Sequence, residues 1–201
     1  MAEIGPARNS GKAGSPVFDF ERFLSECCEA VEQDPSHRAV REIAAQAVAD
    51  PSAVLAGLGE PQRAGITPMF QSDKLTILNV VWGPHMTVPP HDHDMWAVIA
   101  VYAGREDNIF WRRITDDSGT TIEAAGAKSL AVKDAEPLGR DIVHSVLNPV
   151  DRLTAGIHLY GGNFFETGHH EWDPETHRER AYDFETARRR FERSNALLTA
   201  R

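Results

Sequence analysis

The chain has 201 residues, a length suited to one domain with a sizeable core. Apolar residues make up 41% and charged residues 25%, ordinary for a globular protein, and no run of about 18 apolar residues suggests a membrane span. The formal net charge of −9 argues against nucleic acid and anionic membrane as partners, because both select basic surfaces; a local basic pocket is still allowed.

Residues 1–16 (MAEIGPARNSGKAGSP) lack the apolar run of a signal peptide and read as a flexible tail. The only cysteines, Cys27 and Cys28, are adjacent and poorly placed to staple a fold. They predict helix packing and a reducing cytosol, so a cytoplasmic protein.

Residues 17–60 read as a helical segment packed on the remainder of the chain. Phe18, Phe20, Phe23, Leu24, Cys27, Cys28 and Val31 recur at helical spacing. Asp34-Pro35 and Asp50-Pro51 look like N-caps followed by proline at the first helical position. Between them Val40, Ile43, Ala44 and Val48 share a face, and Gly57 to Gly59 end a short third helix.

Residues 61–168 change texture. Leu75 to Trp82 is apolar on both faces and reads as a buried strand. Trp96–Tyr102, Asn108–Ile114, Thr120–Glu123, Ser129–Val132, Ile142–Leu147 and Leu153–Tyr160 come next, separated by Gly, Asp, Asn or Pro. Many short strands predict a mainly β barrel or sandwich. Residues 169–201 form a C-terminal extension, where Asp173-Pro174 and the run from Asp183 to Leu198 predict a helix. Its Arg188, Arg189, Arg190 and Arg193 read as a solvated face. His169, His170 and His177 lie in a polar stretch and read as loop or surface residues.

The segment PPHDHDMW carries the chemistry. Residues two apart on a strand share a face, so His91 and His93 can aim at one point. His144 lies about 50 residues on, between Val143 and Val146 of another apolar strand. Together the three form a candidate metal site; His91 and His93 alone would suit a loop equally well.

The pattern Gly83 … His91-x-His93 … Gly104, then Pro137-x-Gly139 … His144-x-x-x-Asn148, resembles the two cupin motifs. It implies a cupin barrel (double-stranded β-helix, jelly-roll) flanked by N-terminal helices and a C-terminal helix. The general cupin pattern has an acidic residue where this chain has Ala97 or Val98. The resulting three-histidine variant, with WGP before the histidines, Trp96 after them and His158-x-Tyr160 at the end, resembles the thiol dioxygenases of the cysteine dioxygenase and 3-mercaptopropionate dioxygenase group.

That resemblance implies one Fe(II) per chain and oxidation of a small thiol by O2 to its sulfinate. Imidazole suits zinc, nickel and copper too, so ligand type alone does not choose the metal. It implies that Tyr160 hydrogen-bonds near the oxygen site, that His158 orients it, and that Trp96 and Asn148 stand around the pocket. It implies a small-molecule thiol and O2 as partners, in a monomer or homodimer.

The pattern departs from the family in three places. Gly156 replaces the serine of the Ser-x-His-x-Tyr relay, and no cysteine stands at Ala97 or Val98 to crosslink a tyrosine. The substrate-carboxylate anchor, an arginine or glutamine upstream of the first barrel strand, is Thr67 by strict spacing, with Gln71 nearby. Arg105, Arg112, Arg113 and Arg140 offer other cations, and one of Arg112 and Arg113 is expected to face the barrel interior or mouth. These gaps keep two alternatives: a three-histidine oxygenase acting at carbon, on a diketone or enol, and a barrel that binds metal or ligand without catalysis.

Overall fold

The computed structural model describes residues 17–199 apart from residue 118, so the expected tail lies outside the described residues. Three helices come first: α1 (Phe20–Gln33), α2 (His37–Val48) and α3 (Pro51–Leu58). Asp19 caps α1 through the Arg22 N–H, and Asp50 caps α3 ahead of Pro51. The cap of α2 differs from expectation. Asp34 instead accepts from the Ser36 N–H and Oγ at 2.9 and 2.7 Å, closing a turn, and Ser36 caps the helix.

Eleven strands come next among the described residues: β1 (Gly65–Gln71), β2 (Thr76–Trp82), β3 (Thr87–His91), β4 (Ala97–Ala103), β5 (Arg105–Asp116), β6 (Gly119–Ala131), β7 (Ala135–Leu138), β8 (Val143–Leu147), β9 (Thr154–Tyr160), β10 (His170–Trp172) and β11 (Glu179–Ala181). Helix α4 (Phe184–Thr199) comes last, capped by Asp183, which accepts from the Glu185 and Thr186 N–H groups. Asp173-Pro174 does not start that helix. Asp173 turns the β10–β11 hairpin by accepting from the backbone of Glu175 and Thr176.

The eight strands β2 to β9 pair from the outside in: β2 with β9, β3 with β8, β4 with β7, and β5 with β6. One sheet runs β1-β2-β9-β4-β7 and the other β11-β10-β3-β8-β5-β6, so the paired strands alternate between sheets. This winding is the jelly-roll, or double-stranded β-helix, of the cupin fold. Thr120–Glu123 and Ser129–Val132 are one strand, β6, held along its length by β5 although its middle lacks apolar alternation. Strands β1 and β3 contain Pro68, Pro89 and Pro90, which erase the local strand signal without preventing pairing at a bulge or edge.

The first sheet is buried on both faces. Ile77, Val98, Ala100, Ile157 and Leu159 pack outward against Phe23, Cys27, Val40 and Ala44 of α1 and α2. Leu78, Val80, Ile99, Val101 and Tyr160 pack inward between the sheets. That explains why Leu75 to Trp82 shows no polar face. Helix α4 seats beside this interior through few contacts. Phe191 stacks on Trp82 with ring centroids 5.5 Å apart, and Asn195 exchanges two hydrogen bonds with the Ala64 backbone. Gly83 makes the seat: a Cβ there would come within 1.8 Å of Ser194 Oγ.

Candidate metal centre

His91 ends β3 and faces His144 directly across the β3–β8 pair. His93 lies two residues beyond the end of β3, in the loop and not on the strand as expected. The loop is pinned to β10: the Asp92 N–H donates to the His170 carbonyl, and Asp92 Oδ1 accepts from the His170 N–H. Three imidazoles thereby converge. Ring centroids lie 5.0 Å (His91–His93), 4.6 Å (His91–His144) and 5.0 Å (His93–His144) apart.

The three offer ligand atoms all within 4.8 Å of one another, and the group includes no carboxylate. His93 Nε2 and His144 Nε2 are 3.5 Å apart. Two nitrogens about 2.1 Å from one ion, at tetrahedral or octahedral angles, would stand roughly 3.0–3.4 Å apart, so small ring rotations suffice for both to bind. The second nitrogens set the tautomers. His91 Nδ1 donates to the Pro89 carbonyl at 2.9 Å, and His144 Nδ1 donates to Asn108 Oδ1 at 2.7 Å. Both Nε2 lone pairs are left for a metal.

Burial keeps these imidazoles neutral. It pushes His91 down to about 4. It holds His93 and His144 well below the ordinary histidine range, with neighbouring imidazoles adding to the effect. Neutral histidine is the form that binds metal, so little proton release is needed at neutral pH.

Behind the histidines lies a buried carboxylate that sequence reading missed. Glu106, 1% exposed, accepts from Trp82 Nε1 at 2.6 Å and from Asn108 Nδ2 at 3.0 Å. Its Oε2 also stands 3.5 Å from His158 Nε2, a close approach without hydrogen-bond geometry. Burial alone would raise its pKa; the facing His158 and the Trp82 and Asn108 bonds outweigh burial and hold it below the ordinary carboxylate value. Because Asn108 spends its N–H on Glu106, its oxygen is oriented toward His144. Glu106 thus fixes a metal-facing ring through one intermediary.

Tyr160 and His158 adjoin the centre. The Tyr160 ring is 5.0 Å from His93, and its hydroxyl is 3.3 Å from His158 Nδ1. Burial raises the phenol well above its usual range. Gly156, where the relay serine was expected, would carry a Cβ 3.3 Å from His158 Nε2, and Glu106 approaches that same nitrogen from β5.

His91 and His93 open on a small chamber of about 30 Å³. Ile66, Phe164, Tyr182, Ala187 and Phe191 line both this chamber and an outer groove of about 480 Å³ along α4.

The other sequence candidates stand away from the chamber. Trp96 packs outside the barrel and donates Nε1 to the Pro35 carbonyl. Asn148 is spent on loop backbone, donating to Gly83 and Arg152 carbonyls and accepting from the Val150 N–H. Gln71 is exposed and bonds Asn163. Arg112 is exposed and pairs with Glu123. Arg113 lies between the Asp92 carboxylate and the Asp141 carbonyl, stacked over Trp172, so it supports the loop between His91 and His93. Arg105 and Arg140 pair with Asp107 and Asp94.

Two residues read as surface groups line the chamber instead. His169 is buried, with Nε2 on the Phe164 carbonyl and its ring 6.2 Å from His93. Arg190, read as part of a solvated run, is half-buried there. A signal existed for it: Ala187, Phe191 and Ser194 mark the buried face of α4, and Arg190 is one position from Phe191. His170 keeps its expected surface character at the start of β10, and His177 lies in the hairpin turn as expected but is half-buried, its ring 5.4 Å from Trp111.

No protein-family model matches the chain. Solved structures similar in part include a DMSP lyase from Ruegeria pomeroyi, at 19% identity and TM-score 0.44, covering 56% of this chain and 53% of that one. A protein with a double-stranded β-helix domain from Klebsiella pneumoniae matches at 11% identity and TM-score 0.42, covering 55% and 81%. A cupin-superfamily protein from Desulfitobacterium hafniense matches at 13% identity and TM-score 0.40, covering 57% and 88%. The chain spans about half the length of the lyase. The cupin-type fold itself rests on the strand pairing: nested antiparallel strands wound into two sheets, with a three-histidine group that can hold a metal ion.

Proposed function

We propose that this chain is a non-haem iron(II) dioxygenase that oxidises a small thiol, in particular a thiol carboxylate, with O2 to its sulfinate. The net change is RS⁻ plus O2 to RSO2⁻, with both oxygen atoms joined to sulfur. The observation that carries the reading is three neutral imidazoles converging without a carboxylate, with Tyr160 against His93. Bound iron would bring the two reactants together and carry electrons between them.

The protein's own residues do the rest. His91, His93 and His144 add no charge, so an ion there keeps its full 2+ and favours a thiolate over a neutral thiol. Tyr160 holds its proton at neutral pH, with His158 and then Glu106 behind its hydroxyl. Leu78, Val80, Met86, Val88 and Phe164 exclude water around the reacting atoms.

The test is oxygen uptake by the Fe(II)-loaded protein with cysteine, cysteamine, 3-mercaptopropionate and mercaptosuccinate, with sulfinate measured as product. Stoichiometric uptake with one of them is the expected result. No uptake with any thiol would sink the reading. One observation favours a metal-binding protein without catalysis: the chamber is only about 30 Å³. Tight metal binding with no turnover of any thiol would support that second reading.

A further inference from the structure

The structure assigns to Arg190 the anchoring of a carboxylate on the molecule that binds beside the three histidines. This rests on the reading of the histidines as a metal centre that takes a small thiol. It deepens that reading by naming where the acid group goes.

Among the described residues Arg190 is the only lysine or arginine lining the chamber, whose walls are otherwise mostly apolar. It shares the chamber wall with His91, His93 and Tyr182, which places it at the three-histidine site. Its Nη1 is buried and has no hydrogen-bond partner. A buried N–H of a charged group left without an acceptor is costly, and an acceptor supplied by a ligand removes that cost.

Glu171 pairs with it as a buried ion pair, but no nearby carboxylate is within hydrogen-bond reach of Nη1. Glu171 Oε2 lies 3.8 Å from Arg190 Nη1, too far for a hydrogen bond. Glu171 takes its hydrogen bond on Oε1 from Arg180 Nε at 2.8 Å. Asp92, which also lines the chamber, is paired with Arg113 through Oδ2 and with the His170 N–H through Oδ1. Glu171 therefore holds the guanidinium as a charge partner while leaving its Nη1–H without an acceptor. A planar guanidinium with free N–H groups suits a carboxylate, which it can hold through two parallel bonds.

Placement supplies the second argument. The anchors expected upstream of the first barrel strand are absent from the chamber: Gln71 bonds Asn163, and Thr67 lines only the outer groove. A cation arriving on α4 does the same job from the opposite end of the chain. Free space of about 30 Å³ holds roughly two waters, so a thiol acid enters only as the shared wall of Ile66, Phe164, Tyr182, Ala187 and Phe191 yields. That wall is largely α4 and its approach, the elements that also carry Arg190. The occupant is thus a short molecule with a thiolate at one end and a carboxylate at the other.

The experiment uses the full chain loaded with cobalt(II), whose visible spectrum reports ligands directly. 3-Mercaptopropionate and 1-propanethiol are titrated, and the sulfur-to-cobalt band is followed. The wild type should prefer the thiol acid by about tenfold or more, the range of a charge-assisted pair. R190Q should reduce that preference to about threefold or less, and R190K should fall between them. R193Q, on an exposed position of the same helix, should match the wild type. An undiminished preference in R190Q, with normal cobalt content and melting temperature, overturns the assignment. If R190Q does not take up cobalt, an undiminished preference in R190K overturns it equally.

The two readings fail separately. If neither thiol gives the sulfur band, the thiol reading is wrong. Malonate is then titrated, and an Arg190-dependent change in the cobalt spectrum keeps the carboxylate site while its absence removes it. If both thiols give the sulfur band with the same preference in wild type and R190Q, the thiol reading stands and Arg190 has no part in it.

Discussion

Glu106→Ala should destabilise the fold and loosen the metal site together. The substitution strips the acceptor from Trp82 Nε1 and Asn108 Nδ2 and removes the charge facing His158 Nε2, all in the buried interior. Hydrogen bonds to an ionised acceptor contribute about 1.5–3 kcal/mol each, so two of them put the loss at about 4 kcal/mol. In a domain of this size that lowers the melting temperature by about 8–16 °C. Asn108, no longer held, stops fixing the His144 ring, and metal affinity should fall by about 10–100-fold.

The pH dependence has a definite sign. Glu106 has a folded pKa below its ordinary 4.5, so its contribution is present above that value and is lost as pH falls through the folded pKa. The gap between wild type and E106A should therefore narrow on acidification from neutral pH. Calorimetric melting of the metal-free proteins across that range, with chelator competition for zinc affinity at neutral pH, measures both effects. An E106A protein within about 1 kcal/mol of wild type at neutral pH would refute the reasoning, because it would mean the buried donors find other acceptors.

Three further outcomes are expected from other parts of the fold. Asn108→Ala should weaken zinc binding by about 10–100-fold while leaving Trp82 bonded to Glu106, and unchanged chelator competition would exclude Asn108 as the group orienting His144. Phe191→Ala, which deletes the ring stacked on Trp82, should cost about 3–5 kcal/mol and speed hydrogen exchange in α4 before the barrel; uniform exchange would show that other contacts hold the helix. Cys27, raised by burial to about 12 from 9.0, should resist alkylation in the native protein. Its raised folded pKa means that its contribution is intact below about 9 and lost as pH rises toward about 12, which alkaline denaturation curves of wild type and C27A would show.

Much of the frame was legible in the residues. Helical spacing from Phe20 onward, Asp50-Pro51 before α3, and the apolar runs of β2, β4, β8 and β9 are local patterns set by side-chain period and burial. His91, His93 and His144 were legible as a group because a single strand end can carry two of them. Strands β1, β3 and β7 were not legible, since prolines or shortness hide them and their neighbours alone make them strands. Trp96, Asn148, Arg112 and Gln71 shared residue types with a site, but their side chains are spent elsewhere: on the Pro35 carbonyl, loop backbone, Glu123 and Asn163.

By itself the sequence determined a barrel of short strands, a helical front, and three histidines able to share an ion. Local period and ligand chemistry suffice for those conclusions. Only the tertiary structure decided what stands around the ion. Glu106 reaches His158 from β5, and Arg190 reaches the chamber from α4, about 100 residues beyond His91. Glu106 carries no local signature and Arg190 only its place beside the apolar face of α4, because a charged residue in a strand or on a helix becomes a buried functional group only through the elements that pack over it.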